Sequence, residues 1–435
     1  GARRDLHSFP TRRSSDLTSA SAETDTFKWA SSAHQTTGCF NSERRGLRRE
    51  VKETIRQDRC FTWHYLTGYL NGSQASDDAD TYRREAEGRY RLYTQAPVQL
   101  PPRGLIVGNL DKALLHEVVV NRISRHFLQK TVYEAIQASD EYTAAEKKAL
   151  DGLLKRFEQH IFSNRADAAY NADELLAWEA NLATSNHYNG HQVLDYGLLL
   201  REGIPGLLQL IQHRLQAATG SADDNAMAFY DAVQRTFAGT AAFISRHAEL
   251  ADRLRRSAEP GSDEESRLTR IASICRANVC GKPQHFAEGL SLLWFFVGFA
   301  DYDSIGRFDQ YLYPLYDRSR SEGMTREEAR TLLQDFWRML DDNGAIINMT
   351  IGGTNRDGTS AVNDLTRLVL EVTRDMRLKG PNLCIRLGGR EDDALWSDLH
   401  QSLASGQALP ALYNEQVIIP MLIREGIQPE DAWDF

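Results

Sequence analysis

Residues 345–353 read AIINMTIGG, and the way their side chains alternate decides the class of the fold. Ala345, Ile347, Met349 and Ile351 fall on one side of an extended chain and Ile346, Asn348 and Thr350 on the other, until Gly352-Gly353 ends the run. Further on, residues 382–387 (NLCIRL) set Leu383, Ile385 and Leu387 against Asn382, Cys384 and Arg386, and residues 412–419 supply a third strand. One helix-length segment separates each strand from the next, which predicts parallel neighbours joined by right-handed crossovers. A polar face on strands that helices otherwise cover implies an enclosed interior, where a barrel keeps its chemistry. The predicted class is α/β and rich in helix.

The helices around these strands can be derived from capping and period. Thr143 with Glu146 forms a capping box ahead of the stripe Leu150, Leu153, Leu154, Phe157 and Ile161. Thr325 with Glu328 repeats the box before Leu332, Leu333, Phe336, Trp337 and Leu340. Val362, Leu365, Leu368, Val369 and Val372 share one side of a third helix. Ile271, Ile274 and Cys275 read as the core face of a fourth, and Lys282-Pro283 as the start of the next, with proline in the first turn.

Composition excludes several classes. With 51 basic and 60 acidic side chains the net charge is −9, which argues against a nucleic-acid binder needing a basic face. The apolar run at residues 292–300 is far short of the roughly 20 residues that span a bilayer, so no membrane partner is expected. Five cysteines (Cys39, Cys60, Cys275, Cys280, Cys384) in no repeated spacing argue against a disulfide framework and place the protein in a reducing cytoplasm. Residues 9–17, FPTRRSSDL, resemble a translated sequencing adapter, so residues 1–17 are set aside as non-native, and 18–45 read as a polar loop or unreliable sequence. Residues 46–435 form the domain proper.

No phosphate loop, G-x-G-x-x-G, H-E-x-x-H, G-x-S-x-G or paired C-x-x-C is present, which removes nucleotide, zinc-protease and α/β-hydrolase readings. The densest polar cluster is residues 185–196, SNHYNGHQVLDY. His187 and His191 lie four apart, as for a metal on one helix face, but the Asn189-Gly190 turn signal between them disrupts that geometry. Hydrogen-bonded structural histidines are one account; the other has His191 and Asp195 bind or protonate a small polar substrate. Cys384 shares a strand face with Arg386, a cation that would favour thiolate, while inert packing is the blander account. Asn382 and Arg386 are candidates on the inner face, and for Arg386 a structural salt bridge is the alternative.

Several segments in order resemble the pyruvate formate-lyase-like family of glycyl-radical enzymes, which includes glycerol and diol dehydratases, choline lyase and arylacetate decarboxylases. They are residues 105–109 (LIVGN), 190–206 (GHQVLDYGLLLREGIPG), 270–290 (RIASICRANVCGKPQHFAEGL), 306–314 (GRFDQYLYP), 352–372 (GGTNRDGTSAVNDLTRLVLEV), 381–387 (PNLCIRL) and 406–432 (GQALPALYNEQVIIPMLIREGIQPEDA). The piece GRFDQYLYP is the most specific. The resemblance implies a ten-stranded α/β barrel of two five-stranded halves wrapped in helices.

It also implies radical chemistry. A separate iron-sulfur, S-adenosylmethionine-dependent activating enzyme would install a glycyl radical, with no other cofactor bound. A cysteine in a Gly-Cys-x-Glu type loop would carry the thiyl in a closed, dry cavity. The resemblance puts that loop just after residues 426–435 and the radical glycine later, so the chain is expected to be a C-terminally truncated, inactive piece of a barrel, with no catalytic residue present. His191, Asp195 and the His285-Phe286 pair are then substrate-binding candidates, no metal ligands are assigned, and Arg307, Asp309 and Tyr313 are architectural. The implied activity is a dehydratase or C–X lyase acting on a small polar compound, with formate C-acetyltransferase as the alternative branch and a homodimer as the complete form. A non-catalytic helical scaffold or binding module, and a metal-dependent hydrolase using His187 and His191, are the readings from other classes.

Overall fold

Backbone hydrogen bonding in a parallel sheet demands that helices carry the chain back between strands, and this chain follows that rule from residue 304 onward. The computed structural model describes residues 71–72, 81–96, 98–108, 136–140, 142–161, 193–299, 304–342 and 347–433. In order these form α1 (Thr81–Gln95), α2 (Ala144–Ile161), α3 (Tyr196–Ser221), α4 (Asp224–Arg255), α5 (Asp263–Cys280), α6 (Phe286–Phe299), β1 (Ser304–Arg307), α7 (Phe308–Ser321) and α8 (Arg326–Asp342). There follow β2 (Asn348–Gly352), α9 (Asp364–Met376), β3 (Asn382–Leu387), α10 (Asp393–Ala404), β4 (Ala411–Asn414), α11 (Glu415–Arg424) and α12 (Pro429–Ala432). All lie in the compact unit of residues 55–435, and the segments 1–17 and 18–45 lie outside the described residues.

The four strands form one sheet in the order β1-β2-β3-β4, every pair parallel. Val193 makes a further parallel bridge to Ser304, so five chain segments run side by side, as one half of the expected barrel would. The register aligns Ser304, Asn348 and Asn382 across three strands, then Thr350, Cys384 and Ala411, then Gly352, Arg386 and Tyr413. Ile347, Met349, Ile351, Leu383, Ile385 and Leu387 are buried under the helices, so the alternation puts the polar residues on the opposite face.

The core beneath the sheet is aromatic. Phe308 packs on Phe336 and Trp337 with ring centroids 5.7 Å away from each, and Trp294 meets Phe336 edge-on at 5.9 Å. The Trp337 indole N–H donates to Thr373 Oγ1 at 3.1 Å, which satisfies its one polar group. Leu332, Leu333, Phe336, Trp337 and Leu340 are all buried, as their spacing predicts, and both threonine-glutamate capping boxes form. Leu292 to Phe295 and Val297 are buried in α6. A separate helical layer is organised by α4, which packs against α1, α3 and α5. A Cβ on Gly239 would lie 2.9 Å from Tyr90 Cα, so α1 and α4 cross closely there.

Two sequence expectations need correction. Residues 412–419 are not one strand: β4 stops at Asn414, whose side chain accepts from Gln416 N–H and caps α11. The apolar run Val417 to Ile419 suits a strand as well as a helix, and the Asn414 cap with the acidic first turn makes it helix. The helix expected at Lys282-Pro283 begins instead at Phe286, because the Glu288 carboxylate already accepts from Gln284 and His285 N–H. β4 is the outer strand among the described residues, and Leu412, Tyr413, Val417 and Met421 are exposed along it and α11.

Candidate functional site

The polar strand face is where the fold gathers its chemistry. At its amino-terminal level Asn382 Nδ2 donates to Asn348 Oδ1 at 2.7 Å, which leaves the pair a second carboxamide oxygen as acceptor and a second amide group as donor. Both residues are half-buried, neither sealed in the core nor fully in water. One level on, Cys384 lies on β3 next to β4, and burial raises its thiol above the usual range. The thiolate suggested by its shared face with Arg386 is therefore not favoured, because that guanidinium is committed elsewhere.

Arg386 is wholly buried at the carboxyl end of β3, and its Nε donates to Glu415 Oε1 at 2.6 Å. Its Nη2 donates to the Trp433 carbonyl at 2.9 Å. Glu415 is buried as well, at 2% exposure, and Oε1 also accepts from Thr354 N–H at 3.3 Å. Glu415 Oε2 has no hydrogen-bond partner among the described residues. The salt-bridge reading of Arg386 is the one observed. Glu415 was missed in the sequence, although a carboxylate inside the apolar run LYNEQVII was the available signal of a buried ion pair.

A second buried carboxylate stands at the ends of β1 and β2. Asp309 Oδ2 accepts from Gly352 N–H at 2.9 Å and from the Thr366 hydroxyl, tying the first turn of α7 to β2 and α9. Burial pushes its pKa up to about 6 despite those bonds and the nearby Arg307. Arg307 Nη2 donates to the Gly352 carbonyl at 3.1 Å. Both residues brace strand ends, consistent with the architectural role read for them.

The other sequence candidates are dispersed. Asp195 lies two residues past Val193, at the carboxyl end of the first parallel segment, and its Oδ1 accepts from Leu198 N–H at 2.7 Å as the N-cap of α3. His191 and His187 lie outside the described residues. His285 sits between Glu288 (3.1 Å) and Glu322 (2.9 Å), with its side chain 46% exposed and its pKa raised by Glu288 first and Glu322 next. Phe286 is buried against Tyr316, and its N–H donates to Ser319 Oγ. The contacts of this pair are with α6 and α7 rather than with the strand face.

Among the described residues no group of three or more His, Cys, Asp or Glu could hold a metal ion, and no helix is long and apolar enough to cross a membrane. A surface cavity of about 370 Å³ between α8, α9 and α10 is lined by Arg326, Arg367 and Arg374. Each of them is paired, with Glu371, with Asp392 and Asp398, and with Asp375 respectively, so it reads as an interhelix ion network.

Comparison with known proteins gives this geometry a context. The model of the pyruvate formate lyase-like family matches residues 40–435. The (2S)-3-sulfopropanediol dehydratase of Klebsiella oxytoca is 25% identical over 401 residues, 83% of this chain and 48% of that one. The isethionate sulfite-lyase of Oleidesulfovibrio alaskensis is 28% identical over 270 residues, 56% of this chain and 32% of that one. The glycerol-bound B12-independent glycerol dehydratase of Clostridium butyricum superposes with a TM-score of 0.71 at 22% identity, covering 88% of this chain and 53% of that one. The chain thus spans between about a third and a half of the length of these relatives.

Proposed function

We propose, since this chain belongs to the pyruvate formate lyase-like family, that its protein is a glycyl-radical lyase or dehydratase cleaving a C–X bond in a small polar substrate. The observation that carries the reading is the half-buried polar face formed by Asn348, Thr350 and Asn382 on strands whose other face is sealed by helices. A radical reaction needs walls that exclude water and oxygen, and a small polar substrate needs amide donors and acceptors placed on those walls. The Asn348–Asn382 pair offers both. Asp195, at the carboxyl end of the first strand segment, is proposed to contact the same substrate, as is His191, with Arg386 holding the floor rather than reacting. His285 and Phe286 remain proposed contacts only if the substrate pocket extends to α6.

The hydrogen-abstracting radical would be supplied through a glycine activated by a separate S-adenosylmethionine and iron-sulfur enzyme. None of the five cysteines stands in a Gly-Cys-x-Glu sequence, so the thiyl role is assigned to none of them. A homodimer in the cytoplasm is the proposed working form. The relatives named above are themselves a lyase and dehydratases, which supports that branch over acyl transfer.

The test is to recover the DNA that follows the Phe435 codon in the source sample and translate it. A Gly-Cys-x-Glu loop with a single cysteine and a later radical-glycine segment is the expected result, and two adjacent cysteines would move the assignment to acyl transfer. An in-frame stop codon with no such segment would overturn catalysis by this polypeptide and leave a scaffold.

A further inference from the structure

We propose that the buried Arg386–Glu415 pair is a clamp that fixes where the chain stands at Trp433, over the carboxyl ends of β2, β3 and β4. Arg386 is a positioning residue in this account, acting through a backbone carbonyl. The inference rests on the glycyl-radical reading only in what the clamp is for, namely to hold the backbone at Trp433 at the carboxyl end of the sheet.

The geometry is specific. Glu415 leads α11 from the end of β4, its Oε1 takes Arg386 Nε at 2.6 Å, and Arg386 Nη2 donates to Trp433 O at 2.9 Å. Room for the carboxylate comes from two glycines. A Cβ on Gly353 would lie 2.5 Å from Glu415 Oε1, and one on Gly388 would lie 3.1 Å from Oε2 and 1.9 Å from Thr354 Oγ1. A second arginine holds the same short helix from another loop, since Arg356 Nη2 donates to the Glu430 carbonyl at 3.4 Å. Ala432 is fully buried although residues 429–431 around it are exposed. Two arginines on backbone carbonyls and one buried alanine thus hold a four-residue helix that has little apolar surface of its own to hold it. A buried ion pair is a costly way to stabilise a core, and a geometric role explains why this one faces a carbonyl rather than solvent.

The experiment is amide hydrogen exchange by mass spectrometry on the whole chain and two variants. Arg386→Lys keeps a cation for Glu415 but has a single ammonium in place of the fork, and the double variant Arg386→Met with Glu415→Leu removes both buried charges together. Exchange at the amides of residues 431–433 should rise tenfold or more in both, while β2 and α9 keep wild-type protection. Exchange there within twofold of wild type overturns the clamp, and so does an equal rise in β2 and α9, which would assign Arg386 to general stability. The readout needs no catalysis. A negative result therefore leaves the radical reading standing, and the absence of a cysteine loop downstream would sink that reading without touching the clamp.

Discussion

Replacing Asp309 by Asn should remove a single-group contribution to the loss of stability as the pH rises from about 4 to above 6. Asp309 is fully buried at the first turn of α7, with Oδ1 unpartnered among the described residues and Oδ2 held by Gly352 N–H and the Thr366 hydroxyl. Burial raises its pKa from 3.8 to about 6, so the folded state favours the protonated acid. The group's contribution to stability is complete below 3.8 and is lost as the pH rises through about 6. At about 1.4 kcal/mol for each pH unit, that span corresponds to about 3 kcal/mol between pH 4 and pH 7.5. Asn has nearly the same shape, keeps an oxygen for both donors and does not titrate. Urea unfolding of both proteins at pH 4, 5, 6 and 7.5 should show wild type losing about 3 kcal/mol relative to Asp309→Asn across the series. A difference constant to within about 1 kcal/mol would show that Asp309 is ionised in the fold at pH 4, and the argument from burial would be wrong.

Three further perturbations follow from the same contacts. Phe308→Ala removes the ring that Phe336 and Trp337 pack against and should cost about 3–5 kcal/mol, read as a lowered urea midpoint. Gly388→Ala forces a methyl to 1.9 Å from Thr354 Oγ1 and should destabilise by about 1–3 kcal/mol, with Thr354→Ala restoring part of the loss; no recovery in the double variant would locate the strain elsewhere. His285 clips α6 to α7 through Glu288 and Glu322, which raise its pKa above 6.5. Its contribution is complete below 6.5 and is lost as the pH rises through the raised value. The thermal midpoint of His285→Ala should therefore be flatter than wild type over that window, and identical profiles would remove the clip.

The parallel sheet and its helices were legible because they depend on local period. Met349 and Ile351 alternate with Asn348 and Thr350 whatever lies around them, and the Thr143 and Thr325 boxes satisfy amides within their own turn. Where two periods fitted, local reading failed: Val417 to Ile419 suits a strand or a helix, and the Asn414 cap decided for helix. The polar strand face was derivable in composition, since Asn382 and Arg386 share it by register alone. Which of those groups remain open to a substrate was not, because that depends on partners distant in sequence. Arg386 is closed by Glu415 and Trp433, 29 and 47 residues away, and the thiol of Cys384 is shut in by burial beside Tyr413. The helices with a clear period, the parallel order of the strands at 348–352 and 382–387 and the family rest on short-range pattern and motif order, which the chain carries before it folds. Which charges are neutralised and which polar atoms stay unpaired was settled by folding alone, because burial and long-range pairing exist only in the packed chain.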